Sequence, residues 1–358
     1  MKKHKYALQG ILAASAMLLI ILDTKSALIG AKDGIQLCIQ AVIPSLFPFC
    51  VLSGIVNSSI YGKSISLLRP IGRICRIPKG SESLLLLGFI AGYPMGAQLI
   101  AQTYKDGKLS NSDAKRMLGF CNNAGPAFLF GMLSPMFRNT GVLWALWGIH
   151  IISAIIVGCV IPGEPQSNCK IEKANTVTLT QLLERTIKIM SMVCGWVILF
   201  RIIISFCSKW FFWIFPVPIQ VLFSGLLEMS NGCVILQKLP TEGFRFVMAS
   251  LFLAIGGICV SMQTMSVIQM LDNSYYFPGK VLQALLSILF SNIIQIFILP
   301  QEEILYLPIS INILLVFTTI FHLYILRRKK DVAINKKIMY NTRKESTKGA
   351  LICCFAKK

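Results

Sequence analysis

The stretch Gly88-Phe-Ile-Ala-Gly92-Tyr-Pro94-Met-Gly96-Ala-Gln98 lies inside an apolar run but does not read as an ordinary membrane helix. Pro94 has no amide donor and disfavours helix at Tyr93. The three glycines allow a turn or the close approach of another backbone. Irregular backbone at membrane depth survives only where it is buried or lines a cavity, and transporters build their sites from such broken helices. The plainer reading is a kinked helix, since Gly92 and Gly96 also have the spacing of a small-residue packing motif.

Composition supplies the surroundings. The 358 residues are 55% hydrophobic and only 14% charged, with mean hydropathy +0.68. A soluble domain carries about 25% charged residues. A soluble enzyme, a disordered chain and a disulfide-stapled secreted protein are excluded. The 12 cysteines include no C-x-x-C pair, and most sit in apolar runs as small hydrophobes. Cys353-Cys354 in the basic tail is a weak acylation signal.

Apolar runs long enough to cross a bilayer occur at roughly 6–22, 35–56, 83–103, 115–134, 141–161, 186–207, 213–237, 245–270, 280–299 and 304–326. The expected fold class is an all-α polytopic membrane protein with about ten membrane segments. The net charge of +20 is read as cytoplasmic loop bias and attraction to anionic lipid headgroups, not as nucleic-acid binding. Lys2, Lys3 and Lys5, the loop carrying Lys63, Arg69, Arg73, Arg76 and Lys79, and the tail from Arg327 all fall on one side of a ten-span topology. Both termini are therefore expected in the cytoplasm, and the polar loop 163–185 outside. The first segment reads as a retained anchor, with a signal peptide as the alternative.

Three further interruptions follow the first. Gly119-Phe-Cys-Asn122-Asn123-Ala-Gly125-Pro126 places two amides beside a Gly-Pro break. In lipid those amides must bond something, either a polar lining or a neighbouring helix. Ser224-Gly225-Leu-Leu-Glu228-Met-Ser230-Asn231-Gly232 carries a carboxylate in mid-span. Such a charge is costly and tends to be functional and partnered; a structural ion pair with Arg201 or Lys188 is the alternative. Gly256-Gly257 leads into Ser261, Gln263 and Thr264, which either line a path or bond a helix. His150 and His322 are read as interfacial residues near span ends.

The interruptions come in two similar pairs. Leu84–Gln98 resembles Val221–Leu236 in plan, and Asn122–Gly131 resembles Gly256–Gln263. Two internal repeats with broken or re-entrant helices are expected. The expected organisation is an anchor at 1–34, a first gate-like repeat at 35–162, a polar loop at 163–185, a second repeat at 186–300, a last span at 301–326 and a basic tail at 327–358. Four spans separate the copies, which makes them parallel unless a broken element re-enters its own side.

Gly92-Tyr-Pro-Met-Gly-Ala97, Phe120-Cys-Asn-Asn-Ala-Gly-Pro126 and Gly225-Leu-Leu-Glu-Met-Ser-Asn-Gly232, taken in order, resemble the signature stretches of the YlbJ-type sporulation integral membrane proteins. The resemblance covers roughly residues 35–270. It implies nucleoside recognition or gate domains and movement of dipicolinic acid from mother cell towards forespore, in the membrane around the forespore. It carries over Gly92, Tyr93, Pro94 and Gly96; Asn122, Asn123, Gly125 and Pro126; and Glu228 and Gly232. Ser230, Asn231, Gly256, Gly257 and Gln263 complete the candidate substrate-binding set. Cys121 and the Ser230-Asn231 pair depart from the family pattern.

Half-helix N-termini suit the two carboxylates of dipicolinate. Glu228 does not, and is assigned to a proton or to a coupling cation, Na⁺ or Ca²⁺. No cofactor, metal-ligand set or nucleic-acid partner is expected, and the oligomeric state is left open. The alternatives are a nucleoside or other small-solute carrier, or a non-transporting sporulation assembly protein working through its tail. An enzyme is not expected, because no paired aspartates, zinc-type His cluster or Ser/His set lies in the spans.

Overall fold

The computed structural model describes residues 2–163, 178–269, 271–308, 310–321 and 323–325. His322, the tail from 327 and most of the 163–185 loop lie outside the described residues. Among the described residues all regular structure is helical. It runs α1 (Lys2–Leu22), α2 (Thr24–Leu37), α3 (Ile43–Ile60), α4 (Arg69–Ile74), α5 (Glu82–Ile90), α6 (Met95–Lys105), α7 (Asn111–Leu118) and α8 (Pro126–Leu133). There follow α9 (Thr140–Val160), α10 (Leu179–Trp210), α11 (Val217–Leu227), α12 (Met229–Val234), α13 (Glu242–Ile255), α14 (Gly257–Ile268) and α15 (Tyr276–Ile298). A final apolar helix, α16, covers Ser310–Ile325.

Five helical stretches among the described residues are long and apolar enough to cross a membrane: α2–α3 joined by a π-helical turn, α9, α10, α13–α14 and α15. Hydropathy gives about ten segments because it cannot see how the broken ones fold. The 9-residue α5 and 11-residue α6 reach only about 14 and 17 Å at 1.5 Å per residue, against about 30 Å of hydrocarbon. They pack against each other, as do α11 and α12, so each pair enters and returns as a hairpin. The members of the α7–α8 and α13–α14 pairs are not packed side by side, and α13–α14 runs on past its break as one apolar stretch of 27 residues.

That difference reverses the direction expected for the second half. Along α2–α3 and α10, Gly30 meets the backbone of Ile202, Gly34 meets Ile198, Cys38 lies on the Cys194 carbonyl and Gly54 faces Leu182. Positions rise on one helix as they fall on the other, so the two are antiparallel. A Cβ on Gly30 or Gly34 would fall 2.7–2.8 Å from backbone carbon, so only glycine permits this approach. The order long helix, hairpin, interrupted helix, long helix occurs twice in the chain, and its two long leading helices point opposite ways. The parallel arrangement expected from the span count is thereby corrected: a hairpin adds no crossing. For the same reason Arg185, at the start of α10, shares a cavity with Lys63 and Lys108. The 163–185 loop thus meets α10 at the same end as the basic loop after α3, not at the opposite one.

The core surrounds the breaks. Tyr93, Ala124, Phe128, Met229, Phe252 and Val260 belong to one buried cluster. Leu46, Met95, Val193 and Cys259 belong to an adjoining one. Exposed apolar side chains such as Ile11, Phe297, Leu314 and Phe317 are what a lipid-facing surface requires.

Candidate functional site: four helix breaks around one cavity

In the first half the hairpin turn crosses the α7–α8 break. Gly88 and Gly96 both lie against the Cys121 carbonyl, and a Cβ on either would overlap it. Gly125 packs on the Ile90 carbonyl and the Gly92 amide. Gly92 itself has φ +80°, which glycine adopts without penalty. Pro126 opens α8 at a position that needs no amide donor. Asn122 Oδ1 accepts from the Ala97 amide at 3.2 Å, satisfying one of the orphan donors at the start of α6. Its Nδ2 donates to Thr264 Oγ1 at 3.0 Å, and Tyr276 donates to the same hydroxyl at 3.3 Å. One side chain thus joins both breaks of the first half to α14 of the second.

Sequence reasoning passed over the centre of this network. Lys280, 2% exposed, donates to Tyr93 Oη at 3.0 Å, Gln283 Oε1 at 2.8 Å and Asn123 Oδ1 at 3.3 Å, and also to the Asn122 carbonyl. Gln283 in turn donates to Asn123 Oδ1 at 2.9 Å and to the His150 carbonyl at 3.3 Å. Lys280 stands at the edge of the apolar run that hydropathy places at 280–299, so it passes for a flanking charge. The available signal was its isolation: α15 contains no other charged residue over 23 positions. His150 is also corrected. It lies buried mid-way along α9, and its Nε2 accepts from the Ala124 amide at 3.1 Å.

Tyr93 links this network to the second half. Its hydroxyl lies 3.2 Å from the carbonyls of both Leu253 and Ala254. The break at Gly256, φ +73°, ends α13 and leaves those carbonyls without helix partners.

The second half repeats the crossing with different chemistry. Gly232 packs on Gly225, and Gly257 on the carbonyls of Gly225 and Leu226. Between α11 and α12 the backbone extends at Glu228, whose carboxylate accepts from the Ser230 amide at 2.9 Å and the Asn231 amide at 2.6 Å. This is a helix cap made by a charged side chain. Arg201, an expected partner, instead pairs with Asp33 at 3.1 Å, because its face of α10 is turned towards α2. Among the described residues no ion pair reaches Glu228, so neither Arg201 nor Lys188 neutralises it.

The four breaks meet at a cavity of about 30 Å³ bordered by Tyr93, Ala124, Glu228, Ser230, Val260 and Gln263, with Leu46 and Val193 also on its wall. That is room for about one water, too little for an organic solute in this conformation. Of the expected site residues, Tyr93, Glu228, Ser230 and Gln263 line the cavity. Asn122 and Asn123 stand behind Tyr93. Gly92, Pro94, Gly96, Gly125, Pro126, Gly232, Gly256 and Gly257 shape the backbone around it. Asn231 supplies an amide, and its buried Oδ1 has no hydrogen-bond partner.

These features define an all-helical integral membrane protein whose polar centre is built from helix breaks. The chain is 22% identical over 318 aligned positions to the sporulation integral membrane protein YlbJ of Bacillus subtilis (strain 168), covering 76% of this chain and 78% of that protein. This similarity supports the YlbJ-type relationship read from the motifs, and with it a membrane role in sporulation. No family model and no solved structure matches the chain.

Proposed function

We propose that the protein is a carrier, not an enzyme, that moves a small organic anion, dipicolinate foremost, across the membrane around the forespore. The observation that carries this reading is the buried Lys280 ammonium, bonded to Tyr93 at the wall of a cavity on which four helix breaks converge. A buried ammonium is costly unless it is paired or fully hydrogen-bonded. Here only neutral oxygens hold it. A carboxylate reaching it would replace weaker dipoles with a full opposite charge. Glu228, on the same cavity, would repel that anion unless it carried a proton or held Na⁺ or Ca²⁺. We therefore assign Glu228 to the coupling step and Lys280 to the anion. A nucleoside or other neutral solute is the second reading, favoured by the hydrogen-bonding groups of Ser230 and Gln263 at the cavity wall.

Labelled dipicolinate flux into proteoliposomes tests the proposal. Wild type is expected to transport, Lys280→Met to lose at least about a hundredfold in rate, and Glu228→Gln to lose its response to an imposed proton or cation gradient. Uridine that competes with dipicolinate would favour the neutral-solute reading. Folded wild-type protein without dipicolinate flux would sink the anion assignment.

A further inference from the structure

A second, larger cavity lies outside the site described above. It offers about 690 Å³ between the end of α3, α6 with its following loop, and the start of α10. That volume is in the range that holds small ligands. Lys63, Lys108 and Arg185 line it against one acid, Asp106. The Asp106 carboxylate already accepts from Gln102 Nε2 at 2.7 Å. Gln98, Gln102 and Asn57 add amide groups to the wall.

Its floor adjoins the central cavity. On α3, Cys50 faces the large cavity and Leu46 the central one. On α10 the corresponding pair is Ile189 and Val193, and at the start of α6 it is Met95 and Tyr93. On α3 and α10 the two members are one helical turn apart, so the barrier between the cavities is about 6 Å thick there. The same end of the fold carries the basic loop after α3.

We infer that this cavity is an anion-collecting vestibule: it binds a small carboxylate anion before the barrier at Leu46, Met95 and Val193 opens towards Tyr93. The inference rests on the carrier reading for its purpose, but its geometry and charge stand apart from it. Two or three cations around a walled space raise the local concentration of an anion.

Gln102→Cys in the full-length protein, held in lipid nanodiscs, tests this directly. Its modification by an anionic methanethiosulfonate is followed by peptide mass spectrometry, with and without dipicolinate as probe anion. Dipicolinate flux is measured in parallel in proteoliposomes. Dipicolinate is expected to slow modification at least threefold. Lys63→Glu combined with Arg185→Glu should weaken that protection about tenfold. Should the double reversal fail to fold, Lys63→Gln and Arg185→Gln singly are each expected to weaken it about threefold. Protection without flux keeps the vestibule and sinks the carrier. Flux without protection at saturating dipicolinate overturns the vestibule and keeps the carrier. Absence of both overturns both.

Discussion

The two crossings of broken helices share a backbone device and differ in how each holds its charge. In the first, glycines let the α5–α6 hairpin lie on the α7–α8 break, and a cation is held by side chains from three places in the fold: the hairpin turn, the break and α15. In the second, glycines let α11–α12 lie on the α13–α14 break, and an anion is held locally by two amides of its own helix. The backbone geometry is general, whereas the charge chemistry is particular to each crossing, the cation at the first being supplied by α15 of the second half. A network that spans elements is lost when any member goes; a local cap is lost only with its own residue.

Substitutions at the crossing glycines should have the largest effect and should be alike in both halves. Gly96→Val and Gly232→Val each drive a side chain into backbone and are expected to cost more than about 4 kcal/mol, so that no folded peak survives gel filtration in detergent. Gly131→Ala, with open space around it, should leave the peak intact or raise thermal stability by about 0.5 kcal/mol. A tolerated Gly232→Val would break the likeness.

The next test separates the two crossings. Lys280→Met strands several buried acceptors and should cost about 2–4 kcal/mol. Glu228→Gln keeps an acceptor for one amide and should cost about 1–2 kcal/mol. Equal losses in thermal unfolding would mean that the two charges are held in the same way. Thr264→Val cuts the link between Asn122 and Tyr276 and should cost about 1 kcal/mol, with flux slowed but present.

The smallest effect lies outside the spans, at the Lys115–Asp272 pair, 3.2 Å apart. Partial burial alone would raise the Asp272 pKa, but hydrogen bonds from Ser274 and Lys115 outweigh it and hold the group below its ordinary value. A lowered folded pKa stabilises above the unfolded value and is lost as pH falls through the folded one. Asp272→Asn should therefore cost at most about 0.5 kcal/mol at neutral pH, after screening, and nothing at strongly acid pH.

The breaks themselves were legible in the sequence, because glycine, proline and paired asparagines are costly in lipid without a purpose. The direction of the second half was not, since hydropathy counts apolar length and a hairpin of two short helices has as much of it as a crossing. Lys280 was hidden by its place at the edge of an apolar run, where a lysine ordinarily reaches water. Only the tertiary packing of α15 against α9 and the α7–α8 break shows that it does not. The partner of Glu228 was sought among cations, although the amides it caps stand two and three residues further along the same chain.

The Tyr93 hydroxyl touches the Lys280 ammonium and the last carbonyls of α13 at once. Withdrawal of Tyr93 with its hairpin would therefore unseat the cation and uncap the opposite half in a single event. This phenol joins the Asn122–Thr264 and Lys280–Asn123 bonds in linking the two halves, so a movement of the hairpin disturbs both centres together. Tyr93→Phe would leave the ring in place and remove the phenol's share of that link, with the Asn122–Thr264 bond kept.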